Sequence, residues 1–163
     1  MRWALSHRFD KAALPLADRH YNRQKPGTPQ FVAPGRNVVL LSTCRRALWV
    51  TRVQRRDLCK HAWSGAWECS LFRNEGAGLS SELILEAIAA TRWMWGDPPD
   101  EGMITFVNRA KVKSKKNPGY CYIVAGFTPV GRTKMRGLHT LHIDPTKMPP
   151  PSPPVGAELK LFR

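Results

Sequence analysis

In 163 residues, 26 Lys and Arg outnumber 12 Asp and Glu, which gives a formal net charge of +14 and an isoelectric point near 10.3. That length holds one domain with a real core, and a composition of 42% hydrophobic and 23% charged residues excludes a disordered tail protein. No apolar run approaches the roughly 20 residues of a spanning helix, and charge at Arg2, Arg8 and Asp10 breaks the start too early for a signal-peptide core, so the chain reads as intracellular.

Residues 1–25 read as partly helical, with Asp10 able to cap and Ala12, Ala13, Leu14, Leu16 and Ala17 forming an apolar face despite Pro15. Lys25-Pro26-Gly27-Thr28-Pro29 and Pro34-Gly35 punctuate a loop. Two β-rich runs, 37–43 and 47–53, flank Cys44-Arg45-Arg46 in the manner of a hairpin. A basic connection over 54–61 leads to a third strand at 66–72. The clearest helix spans 81–95, with apolar residues at 83, 84, 87, 88, 94 and 95, and stops at Gly96-Asp97-Pro98-Pro99. A buried strand over 102–107 follows, then a basic run at 111–116. Asn117-Pro118 opens a short helix carrying Tyr120 and Tyr122, Gly126-Phe127 opens a strand, and 137–143 alternates as the last one.

This order predicts a single mixed α/β domain over 1–144, with a strand feeding a helix through a glycine loop as its central crossover. Residues 145–163 form a tail whose Pro145, Pro149, Pro150, Pro151, Pro153 and Pro154 should lie extended over the surface without internal pairing. The four cysteines, 44, 59, 69 and 121, include no Cys-x-x-Cys pair and read as reduced structural thiols. The cationic excess points to a polyanion, with nucleic acid the leading partner.

The sharpest local pattern is Arg73-Asn74-Glu75-Gly76-Ala77-Gly78-Leu79-Ser80-Ser81, between the third strand and the long helix. Glycines let backbone N–H groups approach an anion and the helix N-terminus adds partial positive charge. Arg73, Gly76, Ala77 and Gly78 are therefore candidate ligands of an anionic cofactor, and Ser80 or Ser81 would cap the helix. The competing reading of the loop is a turn that needs its glycines for positive φ.

With the later Asn117-Pro118-Gly119-Tyr120-Cys121-Tyr122-Ile123-Val124-Ala125-Gly126-Phe127, this Arg-x-x-Gly-x-Gly loop resembles the GNAT superfamily of acyltransferases. The resemblance covers roughly residues 35–143. It implies a mixed, mostly antiparallel central sheet flanked by helices, a loop that binds the pyrophosphate of acyl-coenzyme A, and a tyrosine near the reacting centre. A narrower likeness is carried by His20-Tyr21-Asn22-Arg23-Gln24, Phe72-Arg73-Asn74-Glu75-Gly76, Leu79-Ser80-Ser81, Thr105-Phe106-Val107 and Asn117-Pro118-Gly119-Tyr120. These resemble the phage Mom-type DNA modification proteins, GNAT-related enzymes that convert adenine in DNA to a carbamoylmethyl derivative and so block restriction. That likeness implies double-stranded DNA as substrate, the host-cell cytoplasm as location and bound iron. It assigns catalytic roles to His20, Tyr21, Ser80, Ser81 and Tyr120, with Asn108 where members often carry Asp.

Imidazole and phenolate both suit iron, so His20 and Tyr21 are candidate metal ligands with Glu68 as a third and Glu75 as a further candidate. His139-x-x-His142 on an alternating strand points its rings to opposite faces and is rejected as a chelating pair. Cys59-x-His61 has no second pair to complete a site. Arg45, Arg46, Arg52, Arg55, Arg56 and Lys60 form one basic stretch and Arg109, Lys111, Lys113, Lys115 and Lys116 another. From these, Arg45, Arg46, Arg55, Arg56, Lys113, Lys115 and Lys116 are assigned to the DNA backbone. The tryptophans at 49, 63, 67, 93 and 95 are core by default, with one near the site able to stack on an extruded base. Three readings stay open: a Mom-like DNA-modifying transferase, an acyl-coenzyme A-dependent N-acyltransferase acting on a small amine or protein, and a non-catalytic DNA-binding protein. The oligomeric state is open too, a homodimer included.

Overall fold

The apolar runs Val38-Val39-Leu40-Leu41 and Leu48-Trp49-Val50 are too continuous for a sheet with one wet face, and both faces are in fact covered. A computed structural model describes residues 1–54, 57, 62–112 and 116–157. Its elements are β1 (Trp3–Leu5), α1 (Leu14–Asp18), β2 (Asn37–Ser42), β3 (Ala47–Val53), β4 (Trp67–Asn74), α2 (Ser80–Trp95), β5 (Met103–Val107), α3 (Tyr120–Val124), β6 (Thr128–Arg132) and β7 (His139–Ile143). Val38, Leu40 and Trp49 pack with Leu83, Ile84 and Ile88 of α2, while Val39, Leu41, Leu48 and Val50 pack with Leu16 of α1 and with Phe31 and Val32. Strict alternation along β2 and β3 thus feeds two separate cores.

The seven strands lie in the order β1-β2-β3-β4-β5-β7-β6. Every pairing is antiparallel except β4 with β5. A parallel pair cannot be joined by a tight turn, and α2 supplies the crossover. The architecture is the mixed, mostly antiparallel α/β domain expected from the sequence. Parallel pairing covers only Trp67–Met103, Glu68–Ile104 and Cys69–Thr105. Beyond it β4 runs on to Asn74 and β5 to Val107 without a shared ladder, so their C-terminal halves part. A bulge opposite Val50 and Thr51 falls at Ser70, where this parting begins. Bulged strands bend and re-aim their side chains.

Three expectations are corrected. The segment read as partly helical opens with β1, whose three residues give no periodicity to read, and its helix shrinks to α1 with Pro15 in the first turn, where a missing N–H is harmless. The proline-rich tail does pair: Val155 bridges Ala4 in parallel and its N–H donates to the Trp3 carbonyl (2.8 Å), while Met148, Pro154 and Ala157 are buried. The cap of α2 is Leu79, without a side-chain bond, so neither Ser80 nor Ser81 caps it. Among the described residues no helix is long and apolar enough to cross a membrane.

Candidate active site

Where β4 and β5 part, a cavity of about 390 Å³ opens. Its walls come from Ser70, Leu71 and Phe72 of β4, Phe106 and Val107 of β5, Ser80 at the start of α2, Tyr120 and Cys121 of α3, and His20, Tyr21 and Asn22 after α1. Four candidate catalytic residues, His20, Tyr21, Ser80 and Tyr120, therefore line one space. Ser81 does not; it is buried under the helix. Asn108 caps the short turn at Arg109–Lys111, its side chain accepting from Ala110 N–H, and it reaches the site only through its backbone N–H, which donates to the Tyr21 hydroxyl at 3.4 Å.

His20 follows α1 by one turn, its N–H donating to the Ala17 carbonyl. The side chain of Asn22 donates to the Ser70 carbonyl (3.0 Å), which turns its oxygen toward His20 Nδ1. The same Nδ1 meets the Asn22 backbone N–H at 3.4 Å, so it faces one acceptor and one donor and either neutral tautomer finds a partner there. Burial is the largest influence on the imidazole and holds its pKa below the ordinary value; the Arg73 charge acts the same way, while Asn22 and the Phe72 carbonyl favour the protonated ring. The ring stacks on Tyr21 with centroids 4.5 Å apart. Burial pushes the Tyr21 phenol above its ordinary range, so it stays protonated. The result is a neutral imidazole poised as a base beside a hydroxyl donor.

The cavity floor is Cys69, Thr105 and Tyr122. Burial drives the Cys69 thiol up to about 12 and the Tyr122 phenol well above its usual value. The two hold each other at 3.4 Å, and Thr105 Oγ1 donates to the Cys69 carbonyl. A thiol this reluctant to ionise is no nucleophile at neutral pH. No tryptophan lines the cavity; its aromatic walls are tyrosine and phenylalanine, and Trp49 and Trp67 lie in the core.

The glycine loop is organised from within. Asn74 Oδ1 accepts from Gly76 N–H (3.1 Å) and Ala77 N–H (2.9 Å), and Asn74 Nδ2 donates to the Gly78 carbonyl and Ser80 Oγ. Two of the amides assigned to an anion are thus already partnered. Gly78 sits at φ +138, and a Cβ there would stand 2.6 Å from the Arg2 guanidinium, which binds Glu86 and Glu82. Arg73 is engaged as well, its Nε on Glu75 and its Nη1 on the Arg19 carbonyl.

Glu75 takes both arms of Arg19 at 2.7 Å, and this pairing, followed by Arg73, lowers its carboxyl to about 2. The pair ties the His20 segment to the loop. Because the folded pKa is depressed from an ordinary 4.5, the stabilisation is full above pH about 4.5 and drains away as pH falls through about 2. Glu75→Gln should therefore lower the melting temperature at pH 7 by a few degrees, with the difference from the parent closing as acid melts approach pH 2. Arg23, the other cation flanking the His-Tyr pair, is spent on Asp18, Gln30 and Thr28.

The iron assignment fails a test of its donors. Glu68 is 5% exposed, bound to Arg52 and Gln54, and does not line the cavity; Glu75 is held by its two arginines. Among the described residues no three His, Cys, Asp or Glu converge. His20 and Tyr21 are two donors with no described carboxylate or thiolate beside them, and two alone do not fit a protein-held iron centre. His142, of the rejected pair, donates from Nε2 to the Glu101 carbonyl (2.8 Å) and stacks on Trp63, away from the cavity.

Strand direction sorts the charges. The C-terminal ends of β4 and β5, where the cavity opens, share one end of the sheet with the β2–β3 turn bearing Arg45 and Arg46, the turn bearing Arg109 and Lys111, and the β6–β7 hairpin bearing Arg132, Lys134 and Arg136. Asp97, Asp100 and Glu101 precede β5 and Asp144 follows β7, which puts them at the other end. Of the residues assigned to DNA, Arg45, Arg46 and Lys116 are exposed, whereas Arg55, Arg56, Lys113 and Lys115, like Cys59, Lys60 and His61, lie outside the described residues. The hairpin cations went unread in the sequence because single residues separate them. Asn22 and Asn74 were missed too, although Asn-x-Gly at 74–76 is a turn signal in its own right. A comparison with protein-family models, with curated proteins and with solved structures finds no match.

Proposed function

We propose that this protein is a DNA-modifying transferase that places a carbamoylmethyl group on the N6 amino nitrogen of adenine in duplex DNA. The observation that carries the reading is the convergence of His20, Tyr21, Ser80 and Tyr120, the residues of the Mom-type likeness, on the cavity between the parting strands. Its volume of about 390 Å³ is that of a small-molecule site, and the rings of Tyr21, Phe72, Phe106 and Tyr120 offer faces and edges for a flat base. An adenine inside a duplex is stacked and paired, so it must be extruded to enter. The cationic end of the sheet supplies the phosphate attraction that brings the duplex to the opening.

The chemistry follows from the neutral imidazole of His20 on the cavity wall. As the adenine amino nitrogen forms its bond to the CH₂ carbon of the donor, the bond from that carbon to the donor's leaving group breaks and its electron pair departs with the group. The nitrogen sheds a proton to the His20 imidazole. Asn22 and the Phe72 carbonyl stabilise the imidazolium so formed, and Tyr21, kept protonated, can donate to the leaving group or the ring.

Ser80 on the cavity wall favours a second reading, an acyl-coenzyme A-dependent N-acyltransferase, because it sets the N-terminal dipole of α2 against an anionic co-substrate. Mass spectrometry of nucleosides from cells expressing the chain separates the two. A carbamoylmethylated deoxyadenosine, lost in a Tyr120→Phe variant or much reduced, is the expected result. Unmodified DNA together with acylation of amines by the purified protein without DNA would overturn the first reading in favour of the second.

A further inference from the structure

The end of the sheet that carries the cavity also carries an element that the chemistry above does not use. Val107 on the cavity wall pairs with His139, and His139 pairs with Arg132, so the β6–β7 hairpin leaves the sheet two strands away, roughly 10 Å. Its connection is built rather than loose. Thr133 N–H donates to the Leu138 carbonyl (2.9 Å), Gly137 N–H to the Thr133 carbonyl (3.0 Å) and Leu138 N–H to Thr133 Oγ1 (3.0 Å). On this scaffold stands Met135, 98% exposed, between Lys134 and Arg136 and above Arg132. No acidic residue occurs from Thr128 to Ile143. One exposed apolar side chain is ordinary in itself; what points outward is its place between cations, on a hydrogen-bonded tip at the end of the sheet where the cavity opens.

We propose that this hairpin is a wedge: Met135 enters the base stack beside the target adenine, while Arg132, Lys134 and Arg136 hold the flanking phosphates. The inference rests on the duplex-DNA reading above and names the device by which the base is put into the cavity. Extruding a base leaves a gap into which it falls back unless the gap is filled. Apolar side chains inserted between base steps fill such gaps, and the unbranched thioether of methionine adapts to irregular space. The neighbourhood is consistent electrostatically, since the Arg136 charge bears on the Tyr21 hydroxyl and the Arg132 and Arg109 charges on His139.

The test uses duplex oligonucleotides carrying 2-aminopurine at adenine positions, whose fluorescence rises on unstacking. The whole wild-type chain should bind and raise the signal. Met135→Ala, a change on an exposed tip that leaves the fold intact, should bind within about 2-fold of wild type, lose most of the fluorescence rise and modify duplex roughly 10-fold more slowly. On the same sequence supplied single-stranded it should act at the wild-type rate, because no stack has to be opened. Neutralising Arg132, Lys134 and Arg136 together to Gln should weaken binding to all sequences and reduce the slope of log affinity against log salt by about 3. Full fluorescence and a normal duplex rate in Met135→Ala would overturn the wedge and leave the DNA reading standing. A wild-type chain that binds no duplex would overturn both.

Discussion

His20→Ala should cut formation of modified adenine by about 100-fold to 10,000-fold, the usual contribution of a positioned general base, while leaving duplex affinity unchanged. The expectation comes from a ring held in place on the cavity wall: Ser70 fixes the amide of Asn22, and Asn22 holds His20 Nδ1. Burial keeps the ring neutral further into acid than an ordinary histidine. The wild-type rate should accordingly be flat through pH 7 and down past about 6.5, the ordinary histidine value, and decline only as pH falls through the lower folded pKa. Asn22→Asp places a carboxylate on Nδ1, raises the imidazole pKa and should move that decline toward neutral pH. A pH–rate profile of the parent and both variants checks the assignment. A His20→Ala variant with a normal rate, or a profile indifferent to Asn22→Asp, would remove His20 from the chemistry.

Gly102→Ala should be strongly destabilising. Gly102 sits at φ +70 at the entrance to β5, receives the Trp67 N–H on its carbonyl, and donates to the Pro99 carbonyl. A Cβ there would stand 2.2 Å from the Ile143 carbonyl oxygen and 3.0 Å from His142 Nε2. The first of these is backbone of the neighbouring strand and cannot rotate away. Positive-φ strain and overpacking each cost about 1–3 kcal/mol, so about 2–6 kcal/mol is lost from a total that is about 5–15 kcal/mol for a domain. Gly96→Ala is the internal control: φ is +84 but nothing lies within 4 Å of the added carbon, so the cost should be backbone strain alone, about 1–3 kcal/mol. Thermal and urea melts of the pair measure the difference. Equal melting temperatures for the two variants would mean that strand β7 yields where it is drawn as fixed.

Much of the sheet was legible because its strands are long, apolar and bounded by turn residues; β2, β3 and α2 fall within a residue or two of the runs that announce them. β1 and β6 were harder for opposite reasons. β1 has three residues and gains its order from partners far away, the Trp3 indole donating to the Leu83 carbonyl and Arg2 to Glu86. β6 is exposed throughout and contains Pro129 and Gly131, so no hydrophobic pattern marks it. In the site, His20, Tyr21, Ser80 and Tyr120 were visible as residue types in a familiar arrangement. The cavity between them was not, since it exists only because pairing of β4 with β5 stops at Cys69 and Thr105, and a ladder's end is a property of two strands rather than of either sequence. Glu68 misled for the same reason: sequence places it beside the loop, but its carboxylate is bound to Arg52 and Gln54 and stays off the cavity wall.

The bridge between Ala4 and Val155 bears on how copies of this protein meet. A seven-stranded sheet has two outer rows of backbone N–H and C=O groups, and an open row recruits a strand from another molecule. Here β1 is met by the returning tail at one bridge, Ala4 with Val155, whereas β6 is guarded by Pro129, which has no N–H to offer, by the irregular register from Pro129 to Gly131, and by the cationic tip beyond it. One border is shielded by the chain's own residues and the other by sequence that refuses a partner. The proline-rich segment therefore takes up part of the backbone that the three-residue border strand would otherwise show to another molecule.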